Sequence, residues 1–166
     1  ASTAGLDQAA EIAVSPDGRH LLVATAASGD GGNSPLTIIS RTAPDPLFEF
    51  IEVDRDSDDP GLRLRGPVDQ AISPDGRHVY ALSLGENAIT MFERTALAGL
   101  DGADPGAHLV PVASWVDGDN GVAGLDRARR VLVSPDGTSL FVTSDDNSTL
   151  AVFRRDNDPA SAGFGR

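Results

Sequence analysis

The densest run of side chains capable of chemistry is Asp54-Arg55-Asp56-Ser57-Asp58-Asp59, in which carboxylates alternate along the chain. Alternate carboxylates in a loop can converge on a hard cation, so Asp54, Asp56 and Asp58 are candidate Ca²⁺ ligands that match the opening of an Asp-x-Asp-x-Asp-Gly loop. The match then breaks. Asp59 stands where Gly is expected, Pro60 follows, and Arg65 holds the twelfth position, which should be acidic. A solvated loop is the competing reading. Asp117-Gly118-Asp119-Asn120-Gly121 is a second acidic connection, and Ser144-Asp145-Asp146-Asn147-Ser148 reads as a hairpin loop. A different set is marked by spacing alone: Glu11, Asp69 and Arg130 each precede a Ser-Pro-Asp-Gly tetrapeptide by four residues, with Asp7, Arg65 and Asp126 eight residues before it. Mixed charges sharing one position can orient a polar ligand, or simply neutralise one another. The histidines are less promising. His20 and His78 follow Ser-Pro-Asp-Gly-Arg and read as surface residues at a hairpin exit, and His108 has no Ser and Asp at a spacing that would suggest a nucleophilic triad.

The elements that must position these groups are set by the repeat. Ser-Pro-Asp-Gly occurs at Ser15 to Gly18, Ser73 to Gly76 and Ser134 to Gly137, at spacings of 58 and 61 residues. Superposing the copies aligns Leu6, Leu64 and Leu125 upstream, Val14, Ile72 and Val133 just before the turn, and Arg94 with Arg155 eighteen residues after the Gly. In the first copy the matching run, Leu36 to Arg41, comes five residues late, behind an expanded Ser28 to Pro35 loop. Each tetrapeptide lies between β-branched-rich runs and suits a tight hairpin: Pro presets φ, Asp bonds its own backbone, and Gly accepts positive φ. A third run ends in Arg, and a fourth follows at Leu47 to Val53 and His108 to Val116, with period-2 alternation. No window shows helical periodicity, and 18 Gly with 11 Pro oppose long helices. The chain is expected to be all-β. Tandem four-stranded units of this size are the sequence signature of β-propeller blades. Blade 1 spans about residues 5–62, blade 2 about 63–122, and blade 3 about 123–166, within a single propeller segment.

The combination Gly-Leu-Asp-x-Ala, Ser-Pro-Asp-Gly-Arg-His and Val-Phe-Arg-Arg-Asp resembles the bacterial lactonase-like (YVTN/6-phosphogluconolactonase-type) β-propeller repeat family, over nearly the whole chain. The resemblance implies an exported bacterial protein, with a small polar or sugar-like ligand at the mouth of the propeller channel or in the interblade loops. The same blades serve lactone hydrolases and non-catalytic scaffolds, so the binding module leads and a sugar-lactone hydrolase is the alternative. Hydrolysis needs a polarising cation or arginine and a base for water. Arg130 and Glu11 are the pair available. Blade 3 lacks its outer strand, and three blades are fewer than the four to eight that close a ring. Either two copies associate into six blades, or the chain is a piece of a longer propeller.

Composition narrows the partners. Net charge is −12 and all 13 basic residues are arginine, which opposes binding to nucleic acid. The absence of cysteine removes disulfides and thiolate chemistry. No apolar stretch reaches the length of a membrane-spanning helix. Ala1-Ser2-Thr3-Ala4 fits a mature terminus left after a leader is cleaved.

Overall fold

The computed structural model describes residues 6, 8–25, 35–42, 47–54, 62–96, 105–145, 148–163 and 165. These hold eleven strands in three antiparallel sheets and no α-helix. The first sheet is β1 (Ala9–Val14), β2 (His20–Thr25), β3 (Leu36–Thr42) and β4 (Leu47–Asp54), paired in that order. The second is β5 (Pro67–Ile72), β6 (His78–Ser83), β7 (Ala88–Ala96) and β8 (Pro105–Val116). The third has three strands, β9 (Ala128–Val133), β10 (Ser139–Ser144) and β11 (Thr149–Arg154). Each sheet is a blade. The first strands, β1, β5 and β9, pack side by side from one blade to the next.

The Ser-Pro-Asp-Gly turns explain their own sequence. In all three copies the Gly N–H donates to the Ser carbonyl at 2.8 Å, the Ser hydroxyl donates to the Asp carboxylate, and the same Ser oxygen accepts the N–H five residues on at 2.9 Å. Gly18, Gly76 and Gly137 have φ of 70 to 73°, a region costly for a residue with a Cβ. The turns also stack. Gly76 lies against Pro16 of the preceding blade, and Gly137 against Pro74.

Among the described residues two cores form, each between blades. Register puts Leu22, Ala24, Leu36 and Ile38 on the face of blade 1 that meets Leu64, Val79, Ala81, Phe92 and Leu109 of blade 2. Tyr80, Leu82, Ile89 and Met91, on the other face of blade 2, meet Leu125, Val131, Val133, Leu140 and Val142 of blade 3. Blade 2 is therefore apolar on both faces, and β6 is buried at every residue.

An arginine fastens each interface. Arg94, at the end of the third strand of blade 2, donates to the Gly76 carbonyl of its own turn at 2.6 Å and to Nδ1 of His20 in blade 1 at 2.9 Å. Arg155 repeats this one blade later, donating to Gly137 O at 2.8 Å and to His78 Nδ1 at 3.0 Å. It also donates from Nε to the Tyr80 hydroxyl at 2.6 Å and approaches the Asp75 carboxylate at 3.7 Å. His20 and His78 are thus buried between blades, contrary to the surface position their hairpin-exit location suggested. The reason is tertiary: a hairpin exit is exposed on one blade but covered once the next blade stacks. Since guanidinium has no acceptor, Nδ1 of each imidazole is the acceptor in these bonds.

Candidate functional site

The strongest site candidate comes from three strands at one register. Each first strand carries a β-bulge at the same place: Ala10, Val68 and Arg129 are the extra residues, inserted just before Glu11, Asp69 and Arg130. A bulge re-aims the side chains that follow it. Glu11, Asp69 and Arg130 consequently meet, although 119 residues separate the first from the last. Arg130 Nη1 donates to Glu11 Oε2 and lies 3.8 Å from Asp69 Oδ1.

The three differ sharply in environment. Arg130 is mostly exposed, Glu11 is partly exposed, and Asp69 is buried. Asp69 Oδ2 accepts the Val131 N–H of blade 3 at 2.7 Å, and Oδ1 accepts the Gln70 N–H at 3.0 Å. Burial pushes the Asp69 carboxyl above the ordinary carboxylate range, and the nearby Glu11 adds to this; the two N–H donors and Arg130 oppose it without cancelling it. Asp69 therefore has two jobs: it ties blade 2 to the backbone of blade 3 and it anchors Arg130. Gln70, which sequence reasoning missed, donates from Nε2 to the Leu22 carbonyl of blade 1 at 3.3 Å, and its buried Oε1 has no partner among the described residues. A polar residue at a core-facing strand position was the available signal.

The remaining candidates lie elsewhere. Asp126 accepts a hydrogen bond from Asn87 at 3.0 Å, and Arg65 lies 3.9 Å from Glu86, so neither joins the three charges. Asp7 lies outside the described residues. So do Asp56 and Asp58; Asp54 ends β4, and its side chain is not described. In the parallel loop of blade 2, the Asp117 carboxylate accepts the Leu125 N–H at 2.8 Å. Among the described residues no group of three or more His, Asp or Glu is arranged to hold a metal. A separate cavity of about 130 Å³ opens between blades 2 and 3, lined by Tyr80, Ile89, Trp115, Leu140, Phe153 and Arg155 among others.

Three stacked meanders whose cores lie between sheets, with one charged position shared by the first strands, define a segment of a β-propeller. Solved structures support that class. The chain is similar to a putative 6-phosphogluconolactonase from Bacteroides uniformis, with a TM-score of 0.61 and 19% identity, over 90% of this chain and 38% of that one. It is also similar to the periplasmic gluconolactonase of Pseudomonas aeruginosa, at TM-score 0.58 and 20% identity, over 95% of this chain and 39% of that one. A third similarity is to hydrazine synthase of Kuenenia stuttgartiensis, at TM-score 0.61 and 19% identity, covering 90% of this chain and 46% of the other. The chain thus spans less than half of each of these proteins. No family model matches it, and no curated protein matches it in sequence. The shared property is the β-propeller fold.

Proposed function

We propose that the chain is the ligand-binding segment of an exported β-propeller, a binding scaffold that takes a small polar or sugar-acid ligand at its inner edge through Arg130, supported by Glu11 and Asp69. The observation that carries this reading is the convergence of those three side chains from three blades. Arg130 contacts both carboxylates through Nη1 alone and is exposed, while its five N–H donors in a rigid fork suit a carboxylate or vicinal hydroxyls. Glu11 and Asp69 hold the fork in place, which lowers the ordering cost of capture. Export is supported by the family resemblance and by the periplasmic gluconolactonase of the same fold. Among the described residues no helix is long and apolar enough to cross a membrane. Asp54, Asp56 and Asp58 are proposed as a Ca²⁺ loop beside blade 1.

Titration calorimetry with an aldonic-acid and lactone panel, with and without Ca²⁺, tests the reading. Binding that weakens about tenfold or more in Arg130→Ala, as loss of a charge-assisted pair requires, supports it. Binding indifferent to that change would remove Arg130 from the site. The second reading, lactone hydrolysis, is favoured by the two gluconolactonase folds. Base uptake in a pH-stat, proportional to protein and lost in Glu11→Gln, would establish it over the binding scaffold.

A further inference from the structure

Taken alone, the exposed edge of Arg130 suits a carboxylate and a pair of vicinal hydroxyls equally well, and its neighbours decide between them. Arg130 spends Nη1 on Glu11 and Asp69, while Nε and Nη2 have no hydrogen-bond partner among the described residues and the side chain is 63% exposed. Glu11 is used only in part. Its Oε2 accepts from Arg130, and its Oε1 has no hydrogen-bond partner among the described residues. Asp69, by contrast, has given both oxygens to the backbone N–H groups of Gln70 and Val131. The site therefore offers spare donors on Arg130 and one spare charged acceptor on Glu11.

The charges around this edge are one-sided. The hydrogen bond to Glu11, then the charges of Asp69 and Glu11, push the Arg130 guanidinium above its ordinary value, so one cation faces two carboxylates. The adjacent Arg129 brings no spare positive charge, because it pairs with Asp145 at 2.8 Å. An incoming carboxylate on the Arg130 fork would stand about 4–5 Å from the Glu11 carboxylate, since both pair with one guanidinium. Two like charges at that separation lower affinity about fivefold in bulk water, and more beside a protein surface. A carboxylate also has no hydrogen to give Oε1 of Glu11. A hydroxyl meets both demands: it accepts from Nε–H or Nη2–H of Arg130, donates to Glu11, and carries no charge.

We propose that Glu11 is the specificity-determining residue of this site: by occupying one nitrogen of Arg130 and presenting a spare carboxylate oxygen, it selects an uncharged molecule with vicinal hydroxyls and turns away its anionic counterparts. The proposal rests on the ligand reading at Arg130 and narrows that reading to the uncharged class.

Two stable probes that differ at one terminal carbon supply the test: glucitol, which is uncharged, and gluconate, its carboxylate. In ligand-observed NMR titrations of the 166-residue chain, glucitol should bind about fivefold or more tightly than gluconate. Raising NaCl from about 20 to 200 mM should leave glucitol binding unchanged and should not weaken gluconate, because screening relieves the repulsion. Glu11→Gln keeps the shape and an acceptor for Arg130 but removes the charge. It should leave melting nearly unchanged, because the pair is exposed, and strengthen gluconate about fivefold so that the preference disappears. The salt response needs no variant, so it decides the point even where Glu11→Gln folds poorly. Gluconate bound more tightly than glucitol, and weakened both by salt and by Arg130→Ala, would overturn the selection while leaving Arg130 as an anion site. Binding of neither probe, or binding of both untouched by Arg130→Ala, would overturn the inference together with the ligand reading beneath it.

Discussion

Replacing Arg155 by Ala should be among the most damaging single changes in this chain. The guanidinium is buried and makes three hydrogen bonds of 2.6 to 3.0 Å, to the Tyr80 hydroxyl, the Gly137 carbonyl and His78 Nδ1. A hydrogen bond from a charged donor contributes roughly 1.5–3 kcal/mol, but three on one group are not additive, and removing the arginine also recovers its desolvation cost. What remains is the penalty for buried acceptors left without a donor, and a void that joins the neighbouring cavity of about 130 Å³. A net loss of about 3–5 kcal/mol follows, the range for breaking a buried charged network by removing one partner. Trp115 lines that cavity and is the only tryptophan, so its fluorescence in a urea titration reports on this interface. Arg94→Ala should cost less, because Arg94 is only half-buried whereas Arg155 is buried. A loss below about 1 kcal/mol for Arg155→Ala, or a larger loss for Arg94→Ala, would refute the clamp as the device that holds the blades.

Three further outcomes are expected. Burial first, and then the Arg155 guanidinium, hold the His78 imidazole below its ordinary value near 6.5, so the unfolded chain takes up this proton at a higher pH than the folded one. Stability from His78 is fully present above about pH 6.5 and declines as pH falls below it; urea midpoints between pH 7.5 and 5 should fall in the parent and flatten in His78→Gln. Gly18→Ala should cost only the strain of positive φ, about 1–2 kcal/mol, because nothing lies within 4 Å of the new Cβ. At Gly137 the Cβ would stand 3.2 Å from Arg155 Nη1, so Gly137→Ala should cost visibly more, and equal melting temperatures would contradict the stacking of the turns. Finally, Asp69→Ala removes the acceptor for the Val131 and Gln70 N–H groups and should destabilise by roughly 1–3 kcal/mol, whereas Arg130→Ala, at an exposed pair, should leave melting nearly unchanged. Differential scanning calorimetry distinguishes the two, and the reverse order would mean that Arg130 holds the blades.

Much of this was legible in the sequence because the information is local and repeated. Ser-Pro-Asp-Gly specifies its turn through bonds between residues no more than five apart, and alternation in the flanking runs specifies strands and their two faces. Offset alone placed Glu11, Asp69 and Arg130 at one position, since equivalent residues of stacked repeats become neighbours. Other features were hidden for an equally physical reason. Nothing near His20 shows that Arg94, 74 residues away, will bury and bond it, so a position exposed on one hairpin was read as surface.

The sequence by itself determined the kind of blade, where each turn falls, and which charged residues share the inner edge. Only the tertiary structure decided that the histidines are acceptors, that Asp69 is spent on the Val131 N–H, that Arg130 is already paired with Glu11, and that blade 3 leaves Leu150 and Val152 uncovered. Those facts depend on what the next blade contributes, and a repeat unit does not encode its neighbour's distance.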